Sequence, residues 1–173
     1  MKQTVLYLVT LLIWGSTWIA IKFQLGHVDP MVSVIYRFGL ASVLLIGGCK
    51  ALRLSLKFSL HNHLFMALLG VSLFSINYWL IYEAEVYLTS GIAAVVYSSL
   101  VFFNIANNAF FRGVPVNRKT FIGAVVGICG ICFIYMQEIS SFSLADQGVK
   151  GLILALSSVM LASLGNITSA RNT

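Results

Sequence analysis

Charge is what this chain has least of. Only 9% of its 173 residues are charged and only five are acidic, whereas soluble domains carry roughly 25% charged residues. A water-soluble globular domain is thereby excluded. Proline is scarce too, with two in the whole chain, so little stands in the way of long helices. No ten-residue alternating segments occur, which excludes a transmembrane barrel. The three cysteines, Cys49, Cys129 and Cys132, lie inside or at the edge of apolar runs, where a disulfide framework is not expected. Cys129 and Cys132 read as small packing residues on one helix. A Ser/His/Asp order, a nucleotide-binding glycine loop and paired carboxylates are missing, so no catalytic residue is assigned and an enzyme is not expected. His61 and His63 have no Cys or acidic companion nearby, so neither a metal nor a cofactor is expected.

What the chain does have is apolar surface: 59% hydrophobic residues, 13% aromatic, mean hydropathy +0.93. This predicts an all-α integral membrane protein with the lipid bilayer as its main partner. A span needs about 20 mainly apolar residues, and six such runs occur, at about 4–21, 31–49, 64–82, 90–111, 121–136 and 149–170. The first is too long for a cleaved signal peptide and has Trp18 and Lys22 where a small-residue cleavage site would lie. Pro30 suits a helix start, where its missing donor costs nothing. Gly113 and Pro115 break the chain after the fourth run. Gly123, Gly127 and Gly130 in the fifth run predict close approach of a neighbouring backbone.

The net charge of +6 does not point to nucleic acid, because the cations sit between the apolar runs as topology signals do. With the amino terminus inside, the inner loops receive Lys2, Lys50, Arg53, Lys57, Arg112, Arg118, Lys119 and Arg171, and the acids Asp29, Glu83, Glu85, Glu138 and Asp146 fall on the outer side. The amino terminus is therefore expected in the cytoplasm, and the Lys50–Lys57 connection at a membrane surface. Such one-sided charge opposes a homodimer of oppositely inserted copies.

Polar groups inside the spans mark candidate function. Trp14, Thr17 and Trp18, with Thr10, share a face of the first helix at steps of three and four. They either line a cavity or, with Gly15 and Ser16, permit close helix contact. Arg37 lies seven residues after Pro30 and needs a partner at that depth. Three are open to it: an anionic group of a substrate, Glu83 or a carbonyl, or the interface by snorkelling. Ser75, Tyr78 and Tyr82, with Asn77 nearby, form a stripe on the third helix, and Tyr97, Asn104 and Asn108 one on the fourth. Buried amides and phenols must find partners, so these faces look either toward each other or into a polar cavity. Glu83 could bind a coupling proton. Asn166-Ile167-Thr168 matches a glycosylation acceptor but lies within the last span.

The run Trp14 to Lys22, then Asp29-Pro30 and Tyr36-Arg37-Phe38, resembles the EamA-type drug/metabolite transporters. So do Thr89 to Ala94 opening the fourth helix, Phe111-Arg112-Gly113 closing it, and Gly123 to Gly127 in the fifth. Two places depart from that pattern: Leu100 to Phe103 stands where a proline is frequent, and Val114 where an acid follows the glycine. The resemblance implies ten helices in two inverted five-helix repeats, with a solute path between them. Residues 1–148 would be the first repeat and 149–173 the first helix of a second, Gly165 to Arg171 being the counterpart of the end of helix one. The chain then stops where helices seven to ten would start. The implied function is an inner-membrane exporter of a small organic solute, an amino acid or related compound, coupled to protons. The alternative is a truncated, non-transporting product or a helix bundle acting through assembly with partners.

Overall fold

The computed structural model describes residues 2–24, 28–143 and 146–172, and within these every regular element is helical. Gly26 and His27 lie outside the described residues, as do the side chains of Trp18, Lys22 and Asp146.

Helix α1 covers Lys2–Gln24. Helix α2, Pro30–Ala51, starts where Pro30 supplies a preset φ and Asp29 accepts from the Met31 and Val32 amides at 2.8 and 3.4 Å. The third span combines α3 (Leu60–Leu69, capped by Ser59), a π-helical turn at Gly70–Ser75 and α4 (Ile76–Tyr87). Its 28 residues exceed the length needed for a hydrocarbon core about 30 Å thick, so it crosses tilted or projects beyond it. The fourth span is α5 (Ser90–Ser98, capped by Thr89) and α6 (Leu100–Arg112), separated at Ser99 and ended by Gly113 at φ 62°, the left-handed conformation that favours glycine. Helices α7 (Arg118–Ile134), α8 (Met136–Ser141) and α9 (Asp146–Asn172) complete the order.

Five of the six expected spans are long and apolar enough to cross a membrane. The exception is α7, whose 17 residues stop at Tyr135 before the chain turns into α8. The third run, expected to end at about 82, continues further, because α4 runs to Tyr87 and Leu88 is buried.

The centre of the bundle is α9, which lies along α3, the π turn, α4, α5 and α6. Its inner stripe, Gly151, Ala155, Ser158, Ala162 and Gly165, repeats at steps of four and three and is buried throughout. A Cβ on Gly165 would stand 2.7 Å from the Leu73 side chain and 3.2 Å from its Cα, and one on Gly151 2.8 Å from Leu88. Small residues here let α9 approach the third span closely. The expectation for Gly123, Gly127 and Gly130 is corrected: nothing lies within 4 Å of a Cβ at any of them, because that face of α7 is open. Helix α1 is likewise peripheral, joining the core through Ile21 near its end.

Charge separates along the bundle axis. Lys50, Arg53, Arg112, Arg118 and Arg171 gather at one end, where an Arg171 guanidinium N–H lies 2.8 Å from His61 Nε2 at the start of α3. At the opposite end Thr89 bonds Glu138, Ser90 donates to Glu85 at 3.2 Å and Lys150 donates to Tyr87 at 2.7 Å.

Candidate solute pathway

The Arg37 guanidinium is half-buried about 10 Å along α2 from Pro30. It lies 4.9 Å from the centre of the Tyr78 ring and donates to the Tyr82 hydroxyl at 3.4 Å. Phe38 packs edge-on against Tyr78 at 4.7 Å and tilts over Phe74 at 5.7 Å. The cation is thus partnered by ring faces and a phenol, which offset part of its desolvation. Tyr78 and Tyr82 were not among the partners left open by the sequence. Glu83 is half-buried and forms no ion pair with Arg37 among the described residues.

One residue before Tyr78, Asn77 is 1% exposed and fully engaged. Its amide donates to the Leu73 carbonyl at 3.0 Å, its oxygen accepts from the Tyr97 hydroxyl at 3.1 Å and from Ser158, and Ser158 also donates to the Asn77 carbonyl at 3.0 Å. Helices α4, α5 and α9 therefore meet at one buried carboxamide. Further along α9, Asn107 donates to Ser163 at 2.8 Å and Asn166 to Asn104 at 3.2 Å. Asn108 turns away, donating to the Asn104 carbonyl and accepting from Arg112.

The structure therefore brings together Arg37, Tyr78 and Tyr82, and separately Asn77 with Tyr97. It places Asn104 of α6 against α9, through Asn166, and Asn108 beside Arg112. Trp14 is 66% exposed, and Thr17 returns its hydroxyl to the Ile13 carbonyl at 3.0 Å, so neither bonds to or stacks on the Arg37 group. Thr10 and Ser16 also bond their own helix. Among the described residues, Thr10, Trp14, Gly15, Ser16 and Thr17 form neither a cavity wall nor a close contact with another helix. The side chain of Trp18 lies outside the described residues.

Among the described residues, five buried polar side chains were not singled out as site candidates by the sequence: Ser33, Glu85 (2% exposed), Asn107, Ser158 and Ser163. Asn107 and Asn108 both lie one turn beyond Asn104 on α6, and it is Asn107 that meets α9. Ser158 belongs to the small-residue stripe of α9, a pattern readable in the sequence. No group of three potential metal-ligating side chains occurs among the described residues, and the cysteines are free thiols.

An all-helical membrane bundle with a half-buried cation and buried carboxamides between its helices is suited to handling a polar solute. The chain belongs to the EamA-like transporter family, whose sequence pattern matches residues 1–136, ending just short of α9. Among curated relatives, Protein PagO of Salmonella typhimurium is 23% identical over 154 residues, covering 88% of this chain and 51% of that protein. An uncharacterized transporter of Buchnera aphidicola is 24% identical over 152 residues, covering 87% of this chain and 51% of its own. The uncharacterized inner membrane transporter YedA of Escherichia coli is 30% identical over 121 residues, 69% of this chain and 39% of its own. The chain spans about half the length of the first two. No solved structure matches it.

Proposed function

We propose that this chain forms one half of a secondary transporter that exports a small organic solute, an amino acid or related compound, with the amino terminus in the cytoplasm. One observation carries the reading: Arg37 stands inside a membrane helix over Tyr78, beside the Asn77–Tyr97 pair. A guanidinium held there by a ring face and a phenol can exchange that weak hydroxyl contact for a substrate carboxylate, a charge-assisted and stronger partner. Tyr78, Tyr82 and Phe38 then offer apolar and aromatic surface to the rest of the solute. Glu83 and the more deeply buried Glu85 are the two carboxyls placed to carry a coupling proton.

In this reading α9 opens a second, inverted repeat. Inverted repeats place the solute site at their interface, and the relation is reciprocal: the groove that α9 fills in the first repeat has a counterpart in the second, which α1 fills. Trp14, Thr17 and Trp18 then line the shared pathway from the side of the second repeat. In a second reading this chain transports nothing by itself and acts through assembly with a partner that supplies those helices.

The test is uptake of labelled amino acids by vesicles containing the chain, with and without a co-expressed second half from a relative, under an imposed pH gradient. Flux that falls more than about tenfold in Arg37→Ala supports the first reading, that being the scale of one charge-assisted contact. Flux absent from every combination sinks it. Flux seen only with the second half selects the second reading for the isolated chain.

A further inference from the structure

A cleft of about 300 Å³ opens at the basic end of the bundle, lined by Phe58, Asn62, Met66 and Arg171. That volume lies at the lower end of small-ligand pockets, about 300–1,000 Å³. The Arg171 guanidinium is fixed on one wall, 3.4 Å from the centre of the Phe65 ring and 2.8 Å from His61 Nε2. Only one of its five N–H donors is used in that pair, and no other hydrogen bond of Arg171 occurs among the described residues.

The segment leading into the cleft is independently built for a membrane surface. Between α2 and α3 the chain runs Leu52-Arg53-Leu54-Ser55-Leu56-Lys57-Phe58 without helix. Its apolar residues alternate with polar ones, and Leu52, Leu54, Leu56 and Phe58 are all exposed, as is Leu60 at the start of α3. Exposed leucines in this number need an apolar medium. Arg53 and Lys57 alternate with them, Lys50 lies one turn earlier, and the acidic side chains described all lie at the opposite end or along α4. Basic pockets beside membrane helices are suited to anionic head groups.

We infer that this cleft holds the phosphate of an anionic phospholipid, with Arg171 and Asn62 as donors and Leu52, Leu54, Leu56 and Phe58 set among the acyl chains of the same leaflet. The lipid would tie the end of α9 to the start of α3, and so stabilise the bundle.

The experiment titrates phosphatidylglycerol, phosphatidylcholine and inorganic phosphate into the full chain in detergent and follows the melting temperature. A ligand bound only by the folded state raises it in proportion to occupancy. Phosphatidylglycerol is expected to raise it by several degrees, the other two by little. Arg171→Ala should require about fivefold more phosphatidylglycerol for the same rise, the worth of one surface cation, while Lys119→Ala behaves as wild type. An equal response to phosphatidylcholine, an equal response to inorganic phosphate, or an unchanged titration in Arg171→Ala would overturn the inference. A variant-free arm guards against misfolding: a photoactivatable phosphatidylglycerol should label the peptide around residues 52–66 in wild type, and labelling spread evenly over the exposed helices would also overturn it.

Discussion

Helices α1 and α9 are both long, apolar and interrupted by small and hydroxyl residues, yet the bundle treats them oppositely. In α9, 39% of the membrane window is buried; in α1, 6%. Gly165 presses on the backbone of the third span, whereas Gly15 has nothing within 4 Å of a Cβ. Serines 158 and 163 bond across to α4 and α6, while Thr10, Ser16 and Thr17 bond back to their own helix. The same residue types thus act as contacts in one helix and remain unused in the other. What decides is the presence of a facing surface, which no local pattern encodes.

The sharpest way to break this contrast is to fill the two glycines. Gly165→Val should cost about 2–3 kcal/mol through overpacking against Leu73, and Gly15→Val under about 0.5 kcal/mol, as at exposed sites; thermal unfolding in detergent measures both, and equal losses would mean that α1 is packed after all. Next in size is Ser158→Ala, expected to destabilise by about 1–2 kcal/mol because Asn77 loses a buried partner, set against no measurable change for Ser16→Ala. A double-mutant cycle on Asn107→Ala and Ser163→Ala should give a coupling near 0.6 kcal/mol, the typical value between membrane helices; the same cycle on Thr17→Ala and Asn107→Ala should give none. Smallest in stability is Trp14→Ala, neutral in the isolated chain. Its effect should emerge only in the presence of a second half, as weaker co-purification of the two.

Much of the fold was legible because lipid imposes strong rules. Pro30 marked the start of α2 and Gly113 the end of α6, since each suits a conformation that a helix end requires; the caps Asp29 and Thr89 were read only as part of the family resemblance. The Tyr78–Tyr82 stripe was readable as one face of a regular helix, though not its meeting with Arg37 of α2. The partner choices were not. Asn107 rather than Asn108 meets α9, since both lie one turn from Asn104 on α6 and spacing alone does not choose between them, and the glycines of α7 face outward because burial depends on a neighbour. Glu85 lay past the expected end of the third run at 82, whereas α4 runs on to Tyr87 beside the buried Leu88.

The hydrogen bonds of α9 have a consequence for how the protein is made. Ser158 follows its partner Asn77 by 81 residues, and Ser163 follows Asn107 by 56. At about 5–20 residues per second of synthesis, Asn77 waits roughly 4–16 s for the serine that completes its hydrogen bonding. By the end of that interval the first four spans exist, with a carboxamide facing a groove that α9 has yet to fill. Insertion and packing are therefore separated in time, and this part of the bundle closes when α9 arrives.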